Sequence, residues 1–391
     1  MTWAIFSIVA NEVSPSGCSA YTYAQYSYDP YVRAPFFQMS EQMVDNPNTN
    51  GGTHPAYPFL TGHGGANQVV LFGYLGLRPH PDNAIHIDPN MPPQVPFVKY
   101  RIFYWRGWPL SASSNYTHTT ISREWNVSPL DSADDRYANV SISVHVGQGS
   151  DANTHQLPVN GALTIPNRQV SSNNTVSGNL IQCRPVHSPH MFEPGQFPIS
   201  AVDGATSTKW QPSSASKLSS VTVSFPDFEN SPMVYGFHFN WADAPPVNAT
   251  VIFHNATIEN PAEVFSASSS RDQTGYAVIT SLENIKQSKP YDPRTTDLDE
   301  VVIPTGNMTE IHLSQPAPPS RFATLLIIGN QALGAESLNG TGATVAEWAI
   351  FNKDGSSSSS STSSNNRKLR VRDAASLENL ARRRRQFLNA K

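Results

Sequence analysis

The sequence predicts a mixed, mostly β chain: a short helical part followed by two antiparallel β-sandwiches. Three observations predict it. Charged residues are only 14% of the 391, beside 32 prolines and abundant Ser, Thr and Asn, a composition of strands and ordered loops rather than helical bundles. From residue 79 onward, short runs alternate apolar and polar residues between turn signals. Before that point, two apolar runs have helical length but no polar face. The length allows two or three domains with sizeable cores.

The first part spans residues 1–78. Helices are expected over Thr2 to Glu12 and Gly65 to Leu77, joined by a long aromatic and Pro-rich loop. A helix that is apolar all round belongs in the centre of a bundle or barrel. Two short helices cannot provide that surround, so the partners are expected in a longer protein. The opening MTWAIFSIVANEVSPSG resembles a short signal peptide but lacks a basic n-region, and the middle or end of a buried helix fits it better. In HPAYPFLTGHGGANQVVLFGYLGLRPHP, the segment Thr61, Gly62, His63, Gly64, Gly65 reads as a glycine turn that opens onto the second helix. Gly64 and Gly65 would then precede a helix N-terminus, whose free N–H groups suit an anion, a carboxylate or a sugar hydroxyl. Gly73 and Gly76 lower helix propensity and read as close-packing contacts.

Residues 79–165 predict the first sandwich, with strands in VPFVKYRIFYWRGWPL, YTHTTISREW, YANVSISVHVG and GALTIPN. Val140, Ile142, Val144 and Val146 fall on one face of their strand. Residues 166–180 read as a linker. Residues 181–352 predict a second sandwich from six strand candidates, KLSSVTVSFPDF, MVYGFHFNWAD, NATVIFHNAT, EIHLSQPA, RFATLLIIGNQ and ATVAEWAIFN. Residues 353–391 form a Ser-rich and basic tail with the block Arg382 to Arg385, read as solvated or, alternatively, as a contact for an acidic surface or anionic lipid.

Several function classes are excluded or favoured by these features. A net charge of −4 argues against nucleic acid as the main partner. No apolar run approaches the roughly 20 residues of a membrane span. Asn-x-Ser/Thr occurs at Asn115, Asn126, Asn139, Asn173, Asn248, Asn255, Asn307 and Asn339, which favours the secretory route. Cys18 and Cys183 can pair, but sequence does not decide it.

Chemistry-bearing patterns are sparse. TGHGG lacks the Lys of a phosphate loop, no G-x-S-x-G elbow is present, and Cys18 has no evident His partner. His54, His63, His80 and His86 lack metal-ligand spacing, so no metal is expected. Glu41, in RAPFFQMSEQMVDNP, is the acidic residue of interest among few in this part. Beside Phe36, Phe37 and Met39 a carboxylate would have its ionisation tuned by its surroundings. An inverting glycosidase needs two carboxyl groups, one to protonate the leaving oxygen and one to activate water. Trp3, Tyr21, Tyr23, Tyr26 and Tyr28 suit sugar faces and serve equally as loop anchors.

The runs MTWAIFSIVANEVSPSGCSAYTYAQYSYDPYVRAPFFQMSEQ and GGTHPAYPFLTGHGGANQVVLFGYLGLRPHPDNAIHIDPNMPP resemble the C-terminal part of fungal acid trehalases of glycoside hydrolase family 65. The likeness covers about residues 1–165. ISAVDGATSTKWQP and ATVAEWAIFN are similar to the two ends of a discoidin-like (coagulation-factor type C) module. The resemblance implies a remnant of an (α/α)6 catalytic barrel, then a jelly-roll-like sandwich, then the discoidin-like one. It makes Gly65 to Leu77 the last inner helix and sets TGHGG at the barrel mouth. It implies an inverting hydrolysis of α,α-trehalose to glucose without cofactor, with Glu41 as general base. The general acid has no counterpart in this chain, which is therefore expected to be a fragment, inactive alone. The expected location is the cell exterior, cell wall or vacuole. The rival expectation is a glycan- or cell-wall-binding module over 181–352, with Trp210 and Trp241 as exposed aromatic contacts or, alternatively, as core.

Overall fold

The computed structural model describes residues 2–14, 16–147, 152–168, 174–225, 232–266, 276–285, 307–318 and 320–352. The basic tail and Asn173 lie outside the described residues. Residues 1–353 gather into one compact unit.

Helix α1 spans Trp3–Val13 and ends where Ser14 turns extended. It buries Ala4, Ser7, Ala10 and Asn11, its small and polar residues. Ile5, Phe6, Val9 and Val13 point outward, between 46% and 69% exposed. That inverts the usual arrangement of a surface helix. Helix α2, Ser19–Tyr28, occupies part of what the sequence predicts as loop. Its composition conceals it, yet its buried Ala20, Tyr23, Ala24 and Ser27 follow helical spacing.

A short hairpin follows, β1 (Val32–Arg33) with β2 (Gln38–Met39). Helix α3 spans Leu60–Gln68 and continues as a wide π-helical turn over Val69–Tyr74. This corrects the expected turn: Thr61, Gly62, His63, Gly64 and Gly65 lie inside the helix, and Gly64 and Gly65 do not precede its N-terminus. The physical reason is close packing. Gly62 is buried, and a Cβ on Gly65 would sit 3.5 Å from Ala4 Cβ of α1.

The first sandwich holds β3 (Ala84–Ile87), β4 (Phe97–Lys99), β5 (Phe103–Trp105), β6 (Trp108–Asn115), β7 (His118–Arg123), β8 (Ile142–Val146), β9 (Asn153–Leu157) and β10 (Ala162–Pro166). One sheet runs β10-β7-β6-β4 with β5 on β6, the other β3-β8-β9. The β3–β8 pairing is parallel, an exception to the antiparallel pattern expected. Leu110, Ile121, Ile142, Val144, Leu157 and Ile85 close one core between the sheets. Val140 lies outside β8 and is exposed, so the strand face begins at Ile142.

The second sandwich holds β11 (Val186–His187), β12 (Ser219–Ser224), β13 (Val234–Asn240), β14 (Asn248–His254), β15 (Tyr276–Leu282), β16 (Met308–Ala317), β17 (Phe322–Ile328) and β18 (Glu347–Phe351). All six strands read from sequence are present. The sheets run β11-β12-β17-β14-β15 and β16-β13-β18. Val221 and Val223 of β12 meet Phe237 and Phe239 of β13 in one core between the sheets.

Helices and sandwiches are joined by specific contacts. Asn11 Nδ2 donates to the carbonyls of Gly73 and Asn90, each at 2.8 Å. Arg168 pairs with Asp88 at 3.0 Å and donates to the Asn11 carbonyl at 2.8 Å. On the other side, Cys18 at the start of α2 forms a disulfide with Cys183, their Cα atoms 5.5 Å apart.

Candidate functional site

The hairpin β1–β2 and the N-terminal end of α3 together hold Glu41. Arg33 fastens the loop: its guanidinium pairs with Asp45 at 2.5 Å and donates to the carbonyls of Pro30, Gln42 and Met43 at 2.8–2.9 Å. Hydrogen bonds from Arg33 and then Ser40 hold the Asp45 carboxyl below its ordinary range. Glu41 is clasped in a ring: its N–H donates to the Ala56 carbonyl and its Oε2 accepts from the Ala56 N–H, both at 3.0 Å. Among the described residues its Oε1 has no hydrogen-bond partner.

Helix α3 is tied to the same loop. The Phe59 N–H donates to the Met39 carbonyl at 2.7 Å, and the Met39 N–H donates to His63 Nε2 at 3.0 Å. His63 thus orients the loop through Nε2 acting as acceptor. Thr61 and Gly64 are exposed beside it. The helix N-terminus offers the N–H groups of Leu60, Thr61 and Gly62, whereas the His63 N–H already reaches the Phe59 carbonyl. Phe36, Phe37, Tyr57 and Leu60 are 50–80% exposed around the loop. Glu41 is likewise exposed rather than enclosed by Phe36 and Phe37. One carboxylate oxygen fixed and the other open is an arrangement able to take a proton from water.

Trp210 and Trp241 are fully buried in the second sandwich, so the exposed-aromatic role expected for them is corrected. They are core because both lie where the two sheets meet. His80, His86 and His145 stack face to face, with centroids 4.0 and 4.8 Å apart, and His86 binds Asp82 at 2.7 Å. Stacked rings run side by side instead of converging on one point. Tyr23 is buried and Tyr26 packs edge-on against Trp3, so both anchor the fold. Asn115, Asn126, Asn139, Asn248, Asn255 and Asn339 are exposed. Asn307 is half-buried, its amide nitrogen donating to the Ala242 carbonyl at 2.6 Å.

Sequence reasoning missed Arg33 and the clasp at Ala56, because neither lies at a periodic spacing from Glu41. It also missed Asp203 and Glu347, two buried carboxyls where α2 meets the second sandwich. Asp203 accepts from Thr208 Oγ1 at 2.7 Å and Ala205 N–H at 2.9 Å, and Glu347 from Gly204 N–H at 2.9 Å. Among the described residues, no helix is long and apolar enough to cross a membrane.

No family model matches the chain. Over 361 residues it is 61% identical to an acid trehalase of Emericella nidulans, covering 91% of this chain and 34% of the relative. It is 58% identical over 357 residues to a cell wall acid trehalase of Arthroderma benhamiae, covering 90% of this chain and 34% of the relative. The chain thus spans about a third of the length of the curated relatives it matches. Among solved structures, it is similar to chitosan-binding module 1 of a chitosanase/glucanase from Paenibacillus sp. IK-5, at 13% identity and a TM-score of 0.29, over 44% of this chain and 98% of the module. A likeness at that score adds nothing to the fold read from the strands themselves.

Proposed function

We propose that this chain is the carboxy-terminal third of an inverting acid trehalase, in which Glu41 is the general base. What carries the reading is the Glu41 loop, clasped and open on one oxygen, within a chain 61% identical to an acid trehalase. Glu41 would take a proton from a water that attacks the anomeric carbon of one glucose unit. A carboxylic acid outside these 391 residues would protonate the glycosidic oxygen, and the bond between that oxygen and the attacked carbon would break. The outward Ile5, Phe6, Val9 and Val13 of α1 would be covered by the rest of an (α/α)6 barrel. The 391 residues alone would then hydrolyse no trehalose.

The protein then belongs outside the cytosol. The buried Cys18–Cys183 disulfide and the exposed sequons suit an oxidising, glycosylating route, and one relative is named a cell wall enzyme. Residues 79–165 and 181–352 would brace the barrel, and any glycan contact through 181–352 would use its loops rather than Trp210 and Trp241.

Stereochemistry provides the test. Inversion at one carbon of α,α-trehalose releases one β-glucose with one α-glucose. Proton NMR of the full-length enzyme in the first minutes should show equal β and α anomers, before mutarotation. Release of α-glucose alone would contradict Glu41 acting on water in an inverting step.

A further inference from the structure

Beyond β7 the chain folds back over the start of β6 and leaves a cleft of about 230 Å³, lined by Trp108, Arg123, Glu124, Trp125 and Asn126 among others. This cleft takes no part in the Glu41 site. Its walls combine features that are rarely left idle. Trp125 is 55% exposed and touches no other ring among the described residues. Trp108, by contrast, is occupied: Arg123 lies over its ring at 5.7 Å, and its Nε1 donates to the Asp134 carbonyl at 2.9 Å.

Arg123 is only 5% exposed. Two of its nitrogens donate to the carbonyls of Tyr137 and Val140. Its Nε is buried and has no partner among the described residues. A buried donor left unsatisfied costs stability. Arg123 lines the cleft, so this unsatisfied donor belongs to a side chain on its wall. The Glu124 carboxylate on the same wall has no hydrogen-bond partner among the described residues and can accept from hydroxyls.

We propose that this cleft is a binding site for a single pyranose ring. An aromatic face against the C–H side of a sugar, with a guanidinium donor and a carboxylate acceptor on its hydroxyl side, is the chemistry of such a site. The cleft is smaller than the roughly 300–1,000 Å³ of drug-sized pockets, so one ring is what it holds. Two sources can supply the ring. Asn126 lines the cleft and begins the sequon Asn126-Val127-Ser128, so the first N-acetylglucosamine of the chain's own glycan is within reach. A free sugar or a wall glycan is the other. The inference stands apart from the hydrolase reading, since neither Glu41 nor trehalose enters it.

The experiment uses the full chain secreted from a eukaryotic host, its Asn126→Gln variant, and Asn126→Gln combined with Trp125→Ala. Trp125 is exposed, so the second substitution spares the core. Mass spectrometry reports whether Asn126 carries glycan, and tryptophan emission is followed while an endoglycosidase trims the chain. The Asn126→Gln variant is titrated with free N-acetylglucosamine and methyl α-glucoside by saturation-transfer NMR. A glycosylated Asn126 whose trimming shifts the emission in the wild type but not in Asn126→Gln assigns the cleft to the chain's own glycan. Saturation transfer to a free sugar that falls at least five-fold with Trp125→Ala assigns it to an external sugar. No emission change on trimming, together with no transfer that depends on Trp125, overturns the proposal.

Discussion

Asp203 is fully buried, and burial pushes its carboxyl up to about 7 against the hydrogen bonds that favour its charge. Burial likewise raises Glu347 well above its ordinary range, and the neighbouring Asp203 charge raises it further. Below pH ~4 both folded and unfolded chains hold the Asp203 proton, and its contribution to stability is fully present. Between about pH 4 and 7 the unfolded chain releases that proton while the folded chain keeps it, so stability falls as pH rises. A shift of this size is worth on the order of 4 kcal/mol across that window, and Glu347 acts in the same direction. The expected observation is an unfolding midpoint that declines from pH 4 to pH 7, with a visibly shallower decline in Asp203→Asn. An equal slope in both proteins would remove Asp203 as the cause. At this scale the sequence marked Glu41 as a scarce carboxylate beside aromatics, and only the family likeness gave it the role of base. Burial and coupling of Asp203 depend on a fold that brings Asp203 and Glu347 together, and no spacing along the chain encodes that.

At the level of elements, glycine carries different loads in one short segment. Gly76 ends the α3 region with φ +66°, and a Cβ there would sit 2.4 Å from the Asp88 carbonyl oxygen. Gly64 lies in the helix, and a Cβ there would meet nothing within 4 Å. Gly76→Ala should therefore destabilise by at least the roughly 1–3 kcal/mol of a strained backbone position. Gly64→Ala should be neutral or stabilise by up to about 1 kcal/mol. Urea unfolding of the two variants checks this, and similar midpoints for both would contradict the packing described for this segment. Strands were the legible elements: six of the eight described in the second sandwich follow from alternation alone, and β11 and β15 do not. Helix α2 escaped because its buried face is made of Ala, Ser and Tyr, which carry little hydrophobic contrast. The start of α3 was misplaced because glycines that permit close approach to α1 look, in sequence, like a turn.

Across the whole molecule, the two sandwiches were readable because each encloses a core of its own. The way the helical part is held between them was not readable. It rests on single long-range contacts, such as Asn11 with Gly73 and Asn90, Arg168 with Asp88, and Cys18 with Cys183. The same helical part leaves large apolar side chains outward on α1, and the chain spans about a third of the length of the relatives it matches. Both facts support the proposal that these residues would form one edge of a catalytic domain.

The most direct test of that account is the turnover of Glu41→Gln in the full-length enzyme, measured on trehalose beside its thermal unfolding midpoint. Glu41 is exposed and only its Oε2 is engaged, so the variant should fold as the wild type does. Loss of a general base predicts a fall in kcat of about 10²–10⁴-fold with the midpoint unchanged. Wild-type turnover in a folded Glu41→Gln enzyme would contradict the assignment and leave the clasped loop a structural feature.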